Sequence, residues 1–167
     1  PVYEVAFQSP LKGEISAIQL TALTHETFSD PRKLSRSSNG NFVLTDFIAG
    51  VVESSSGESR PVEIASASAS FEQSGYPILA AIDDKPESGW AVSGGKDLDD
   101  AVTATFFLSE PVLLGETESL KLRLAHESRF GKHNMGRFKV AVSNSAGSTS
   151  PATPEISEAV RKVLEIS

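Results

Sequence analysis

Strict alternation of apolar and polar residues recurs along this chain and restricts what it can fold into. In "SLKLRLAH", Leu120, Leu122 and Leu124 hold one phase while Lys121 and Arg123 hold the other. Phe138, Val140 and Val142 do the same in "RFKVAVS", as do Val102, Ala104, Phe106 and Leu108 in "AVTATFFL". Successive side chains of an extended strand point to opposite faces, so this pattern sets one face in a core and the other in water. Eight strands are predicted, over 2–7, 14–23, 41–52, 61–71, 89–93, 101–108, 119–126 and 137–143. Gly, Pro, Ser and Asp punctuate the joins, as in "SPLKG", "ESSSGESRP" and "SGGKDLDD". In "EISAIQLTAL" the apolar phase slips between Ala17 and Ile18, which predicts a bulge. Many short strands separated by turn signals make an all-β, antiparallel sandwich the expected architecture.

A chain of 167 residues supports one well-buried domain, assigned to 1–145. The segment "SNSAGSTSPATP" has linker composition, taken as 146–153. Beyond it, Thr153 and Pro154 suit an N-cap and first helical position, and Ile156, Val160, Val163 and Leu164 recur at helical spacing. A short amphipathic helix over 154–165 is therefore predicted. The net charge of −7 argues against nucleic-acid binding, which needs a cationic face. No stretch approaches the roughly 20 apolar residues of a membrane helix, so no membrane insertion is expected. The absence of cysteine excludes a disulfide, a thiol nucleophile, a zinc–thiolate site and a haem attached through a CxxCH motif. The chain begins with Pro1 rather than Met and shows no signal peptide, as a processed or excised piece would.

The segment "ASASFEQSGYPILAAIDDKPESGWAVS" resembles discoidin-like, or coagulation-factor C-type, domains. The resemblance is carried by Ala67 and Ser68, Gly75 and Tyr76, Ala81-Ile82-Asp83, Ser88 and Trp90. "AIQLTAL", "NGNFVLTDF" and "GRFKVAVS" extend it to the discoidin-like domain found within large secreted planctomycete proteins, which often carry cytochrome c domains as well. It implies the galactose-binding-like jelly roll of eight strands, a location outside the cytoplasm (extracellular or periplasmic) and neighbouring domains in a parent protein. In such proteins the domain starts upstream of the first strand here, so an N-terminal portion is expected to be missing. The chain departs from the pattern at Asp84, where Gly is usual, and at Ser88, where Thr is common. The resemblance also implies that Trp90 is buried and that the turn after Ile82 wraps a structural calcium ion. Asp83 would then supply a side-chain oxygen, Ser88 a hydroxyl or carbonyl, and the Lys85 region backbone carbonyls.

Read from the residues alone, Asp83 is equally a turn residue accepting backbone N–H groups. Adjacent Asp83 and Asp84 point in divergent directions in most turns, unlike the facing carboxylates of glycosidases, so catalysis by the pair is not expected. His25, His126 and His133 lack metal-ligand spacing, and no nucleophile elbow is present. Ligand contact is expected instead from two long loops, 24–40 and 126–136, which follow similar strands and end in Gly-x-Phe. The first carries Phe28, Arg32, Lys33 and Arg36; the second carries Arg129, Phe130, Lys132, His133, Asn134 and Arg137. An aromatic ring flanked by Arg, His and Asn suits a sugar, the ring covering an apolar face and the polar groups giving directed hydrogen bonds. Phe28, Arg32, Arg129, Phe130, His133 and Asn134 are the candidate ligand-binding residues. The basic character of the loops points to acidic or sulfated polysaccharide. The expected function is a non-catalytic carbohydrate-binding module. The alternative is a structural spacer or protein-docking domain, with Phe130 merely anchoring its loop.

Overall fold

A computed structural model describes residues 1–8, 13–28, 34–94 and 101–144. The expected linker and helix at 146–153 and 154–165 lie outside the described residues, as do Arg32 and the acidic run at 97–100. The fold is all-β, with ten strands among the described residues: β1 (Val2–Phe7), β2 (Ile15–Ala22), β3 (Val43–Leu44), β4 (Asp46–Glu53), β5 (Ser59–Val62), β6 (Ile64–Ala69), β7 (Trp90–Ala91), β8 (Val102–Val112), β9 (Glu118–Ala125) and β10 (Phe138–Ser143). One four-stranded sheet has the order β1-β9-β4-β5, a second β10-β2-β8-β6, and β3 pairs with β7; every pairing is antiparallel.

The alternating residues meet where the two large sheets face each other. Leu120, Leu122 and Leu124 of β9 and Ile18, Leu20 and Phe106 of the opposite sheet are fully buried in one core cluster. The rings of Phe47 (β4) and Phe106 (β8) stack across the gap, 3.7 Å between centroids. Burying each such side chain contributes roughly 1.5–3 kcal/mol, which is why this alternation and not turn chemistry fixes which face turns inward.

Ten strands replace the eight predicted for definite reasons. The span 41–52 divides at Thr45, whose N–H and hydroxyl both donate to the Ala125 carbonyl. β3 thereby leaves to pair with β7 while β4 continues beside β9. The span 61–71 divides at Glu63 because the chain changes sheets there, β5 pairing with β4 and β6 with β8. β5 is an edge strand, where Pro61 removes no internal ladder bond. The expected irregularity in β2 lies between Ile15 and Ala17, one step earlier than the sequence indicates, where the partner on β8 jumps from Val112 to Phe107.

Residues 34–41 have no ladder of their own and are tied down by side chains. Ser35 and Ser37 hydroxyls both donate to the Asn41 carbonyl at 2.7 Å. The Asn41 amide accepts from Val92 N–H and donates to Gln73. This buried network fixes the first long loop to the strand that begins with Trp90.

Candidate functional site

Trp90 roots this end of the molecule. Its indole is fully buried, edge-on to Phe42 at 5.0 Å, and its Nε1–H donates to the Phe71 carbonyl at 3.0 Å. Gly89 makes the approach feasible, because a β-carbon there would sit 2.7 Å from the Leu44 carbonyl oxygen. An indole enclosed in this way cannot serve as a ligand platform.

The turn before it separates the two aspartates. Asp83 Oδ1 accepts from the Lys85 N–H at 3.0 Å and the Ser88 hydroxyl at 2.8 Å, so it shapes the bend. Asp84 follows with φ +56°, a left-handed conformation, at the position where the resembling pattern carries Gly. Its carboxylate acts on Asp46 instead. The two acids therefore do not share a target. The left-handed conformation strains any residue with a β-carbon, and Asp less than most. Asp84→Gly is expected to raise stability by about 0.5–1 kcal/mol, read as a higher urea midpoint at unchanged slope.

Around Ser88 the oxygens converge. Its hydroxyl lies 2.8 Å from Asp83 Oδ1, 2.8 Å from the Lys85 carbonyl and 3.3 Å from the Ala80 carbonyl. One hydroxyl proton can satisfy one of these three acceptors, so the cluster is oversupplied with oxygen lone pairs. An all-oxygen set of one carboxylate, two carbonyls and one hydroxyl matches calcium in donor type and supplies four of the 6–8 ligands it takes. The Lys85 ammonium stands 3.8 Å from Asp83 Oδ2, and no group of three or more His, Asp or Glu that could hold a metal occurs among the described residues.

The two long loops are stitched together. Leu23 N–H donates to the Arg137 carbonyl and Gly136 N–H to the Leu34 carbonyl, and Ser35 bridges Met135. The tip of the Phe28 ring is pressed against Gly136, where any β-carbon would overlap it. Phe28 is thus a strut between loops. Asn134 is likewise turned inward, 9% exposed, donating to the Tyr3 hydroxyl, which itself donates to the Met135 carbonyl at 3.1 Å. Neither joins the outward-facing set.

Three predicted residues do come together. Phe130 is 38% exposed, with the Arg129 guanidinium carbon 5.1 Å from its ring centroid and the His133 ring 5.5 Å away. The Phe130 N–H is held by the Ser128 hydroxyl. His133 Nδ1 lies 2.9 Å from the Gly131 carbonyl, which can only accept, so that nitrogen carries the proton and Nε2 is left as the acceptor. Phe130 and Arg129 line an open groove of about 460 Å³ together with Val43, Tyr76, Pro86 and Glu87. A second hollow of about 300 Å³ shares Pro86 and Glu127 with it and adds Asp46, Asp84, Lys85 and Arg123. Arg123 bridges Asp46 at 3.2 Å and Glu127 at 3.4 Å. Burial raises the Asp46 carboxyl above its ordinary range; the Arg123 charge opposes this and the Asp84 and Glu127 charges reinforce it.

Tyr76, Asp46, Arg123 and Glu127 were not among the predicted site residues, because nothing in the sequence marks them as lining a common hollow. Asp84 did carry a signal: it replaces the glycine that the turn's backbone favours. No protein-family model matches this chain, and neither a curated protein nor a solved structure matches it.

Proposed function

We propose that this chain is a non-catalytic carbohydrate-binding module of a larger secreted protein, built on the galactose-binding-like jelly roll and working extracellularly or in the periplasm beside neighbouring domains. The observation that supports this most is Phe130, exposed at the lip of a groove with Arg129 and His133 on its flanks. A pyranose presents one apolar face and a rim of hydroxyls. Phe130 and Tyr76 offer apolar surface for the face, while Arg129, Glu87 and His133 Nε2 offer donors and acceptors for the rim. The groove is open, as suits a site that holds a stretch of polysaccharide.

Binding is expected on a glycan array with the folded protein, and Phe130→Ala is expected to weaken it about tenfold through loss of roughly 1.4 kcal/mol of stacking and burial. A uniformly blank array with folded protein overturns the reading. Calcium, when bound, supplies cross-linking of the turn rather than ligand contact. Asp83 Oδ1, Ser88 Oγ and the carbonyls of Ala80 and Lys85 would hold it. Millimolar calcium is expected to raise the melting temperature of wild-type protein but not of Asp83→Ala, since only binding to the native state stabilises it. Identical melting in calcium and chelator removes calcium from the proposal.

A further inference from the structure

We infer that the groove selects glycans by charge, disfavouring carboxylated and sulfated chains and gaining affinity from a free amine on the sugar; this rests on the carbohydrate-binding reading. The basic loops predicted the opposite, but of their cations among the described residues only Arg129 lines the groove. The two hollows together carry the carboxylates of Asp46, Asp84, Glu87 and Glu127 against the cations Lys85, Arg123 and Arg129.

The cations are largely committed. Arg123 is bound to Asp46 and Glu127, Lys85 stands beside Asp83, and Arg129 lies over the Phe130 ring. Asp84 and Glu87 meet no cation among the described residues, and both are exposed. A sulfate or carboxylate entering here would face the exposed carboxylates of Asp84 and Glu87 and find the Arg129 guanidinium and a Lys85 ammonium that already faces Asp83. An ammonium would find two carboxylates ready to accept charge-assisted hydrogen bonds. The raised Asp46 carboxyl is consistent with this: burial is the larger cause, and the charges of Asp84 and Glu127 add to it. Phe130 and Tyr76 fix where the sugar ring stacks, and the charges fix which substituents it can carry.

Titration calorimetry with three hexasaccharides tests this: glucosamine, N-acetylglucosamine and a heparin-derived fragment, each against wild type, the double variant Asp84→Asn/Glu87→Gln, and Phe130→Ala. Both neutralised side chains are exposed, so the double variant is expected to fold, and circular dichroism verifies it. The expected result is about fivefold tighter binding of the free amine than of its N-acetyl counterpart at low salt, with the heparin fragment weakest. The amine preference should shrink with salt and vanish in the double variant. Phe130→Ala should weaken both glucosamine ligands alike. Equal affinity for amine and N-acetyl forms, tightest binding of the heparin fragment, or an amine preference that survives in the double variant each overturns the charge selection while leaving carbohydrate binding intact. Failure of all three ligands to bind folded protein overturns the inference, and a blank wider array then overturns the reading beneath it.

Discussion

Trp90→Ala is expected to lower the free energy of unfolding by about 3–5 kcal/mol, the cost of deleting a fully enclosed large aromatic side chain. The indole has no exposed surface, meets Phe42 edge-on and follows a glycine pressed against Leu44, so little nearby can collapse into the space. For a chain of this length that corresponds to a fall in melting temperature of about 10–15 °C. Domains of this kind have about 5–15 kcal/mol in hand, so a measurable unfolded fraction near 37 °C is an expected accompaniment. Trp90→Phe separates packing from hydrogen bonding. It keeps most of the ring but leaves the Phe71 carbonyl without its 3.0 Å donor, for an expected cost of about 1–3 kcal/mol. Urea titrations followed by far-ultraviolet circular dichroism measure both, since the fluorophore itself is removed. A loss below about 1 kcal/mol for the alanine variant would mean that the indole is not a core residue.

Acid is expected to destabilise the protein through His126. This ring is 4% exposed, packs edge-on to Tyr3 at 5.3 Å, and has no hydrogen-bond partner at either nitrogen among the described residues. Burial, reinforced by the positive charge of the Pro1 amine, lowers its pKa from 6.5 to about 4; the Leu124 carbonyl opposes this weakly. Between those two values the unfolded chain binds a proton that the folded chain refuses. His126 therefore costs nothing above pH 6.5, and stability falls as pH drops from 6.5 toward 4. A separation of about 2.5, at about 1.4 kcal/mol for each, comes to roughly 3–4 kcal/mol. His126→Phe should flatten this part of the pH–stability profile and leave the carboxylate contributions in place. The clamp of Tyr3, Asn134 and Met135 lies beside the ring, so amide exchange in 126–136 should be the first to rise on acidification. A wild-type profile level from pH 6.5 to 4.5 would show that the imidazole takes up its proton without cost.

The outcomes for single residues show where sequence information thins. The burial of Trp90 was implied by the resemblance, since its partners Phe71 and Phe42 lie far along the chain. Asp83 was readable because its role depends on near neighbours, Lys85 and Ser88. Phe130, Arg129 and His133 were readable as a cluster for the same reason, lying within five residues of one another. Phe28 and Asn134 have equally suggestive compositions, yet one braces Gly136 and the other is turned toward Tyr3. A loop sequence states what side chains it holds but not which of them it turns inward.

By itself the sequence determined the β class, the phase of most strands and the turn at Asp83, because alternation and turn chemistry act over two to five residues. Only tertiary structure decided that 41–52 and 61–71 each serve two partners, and that Asp46, Asp84, Arg123, Glu127 and Phe130 border two hollows that share Pro86 and Glu127. Strand pairing joins segments far apart in the chain, and its register is set by burial summed over a whole sheet. No window of local residues contains that sum.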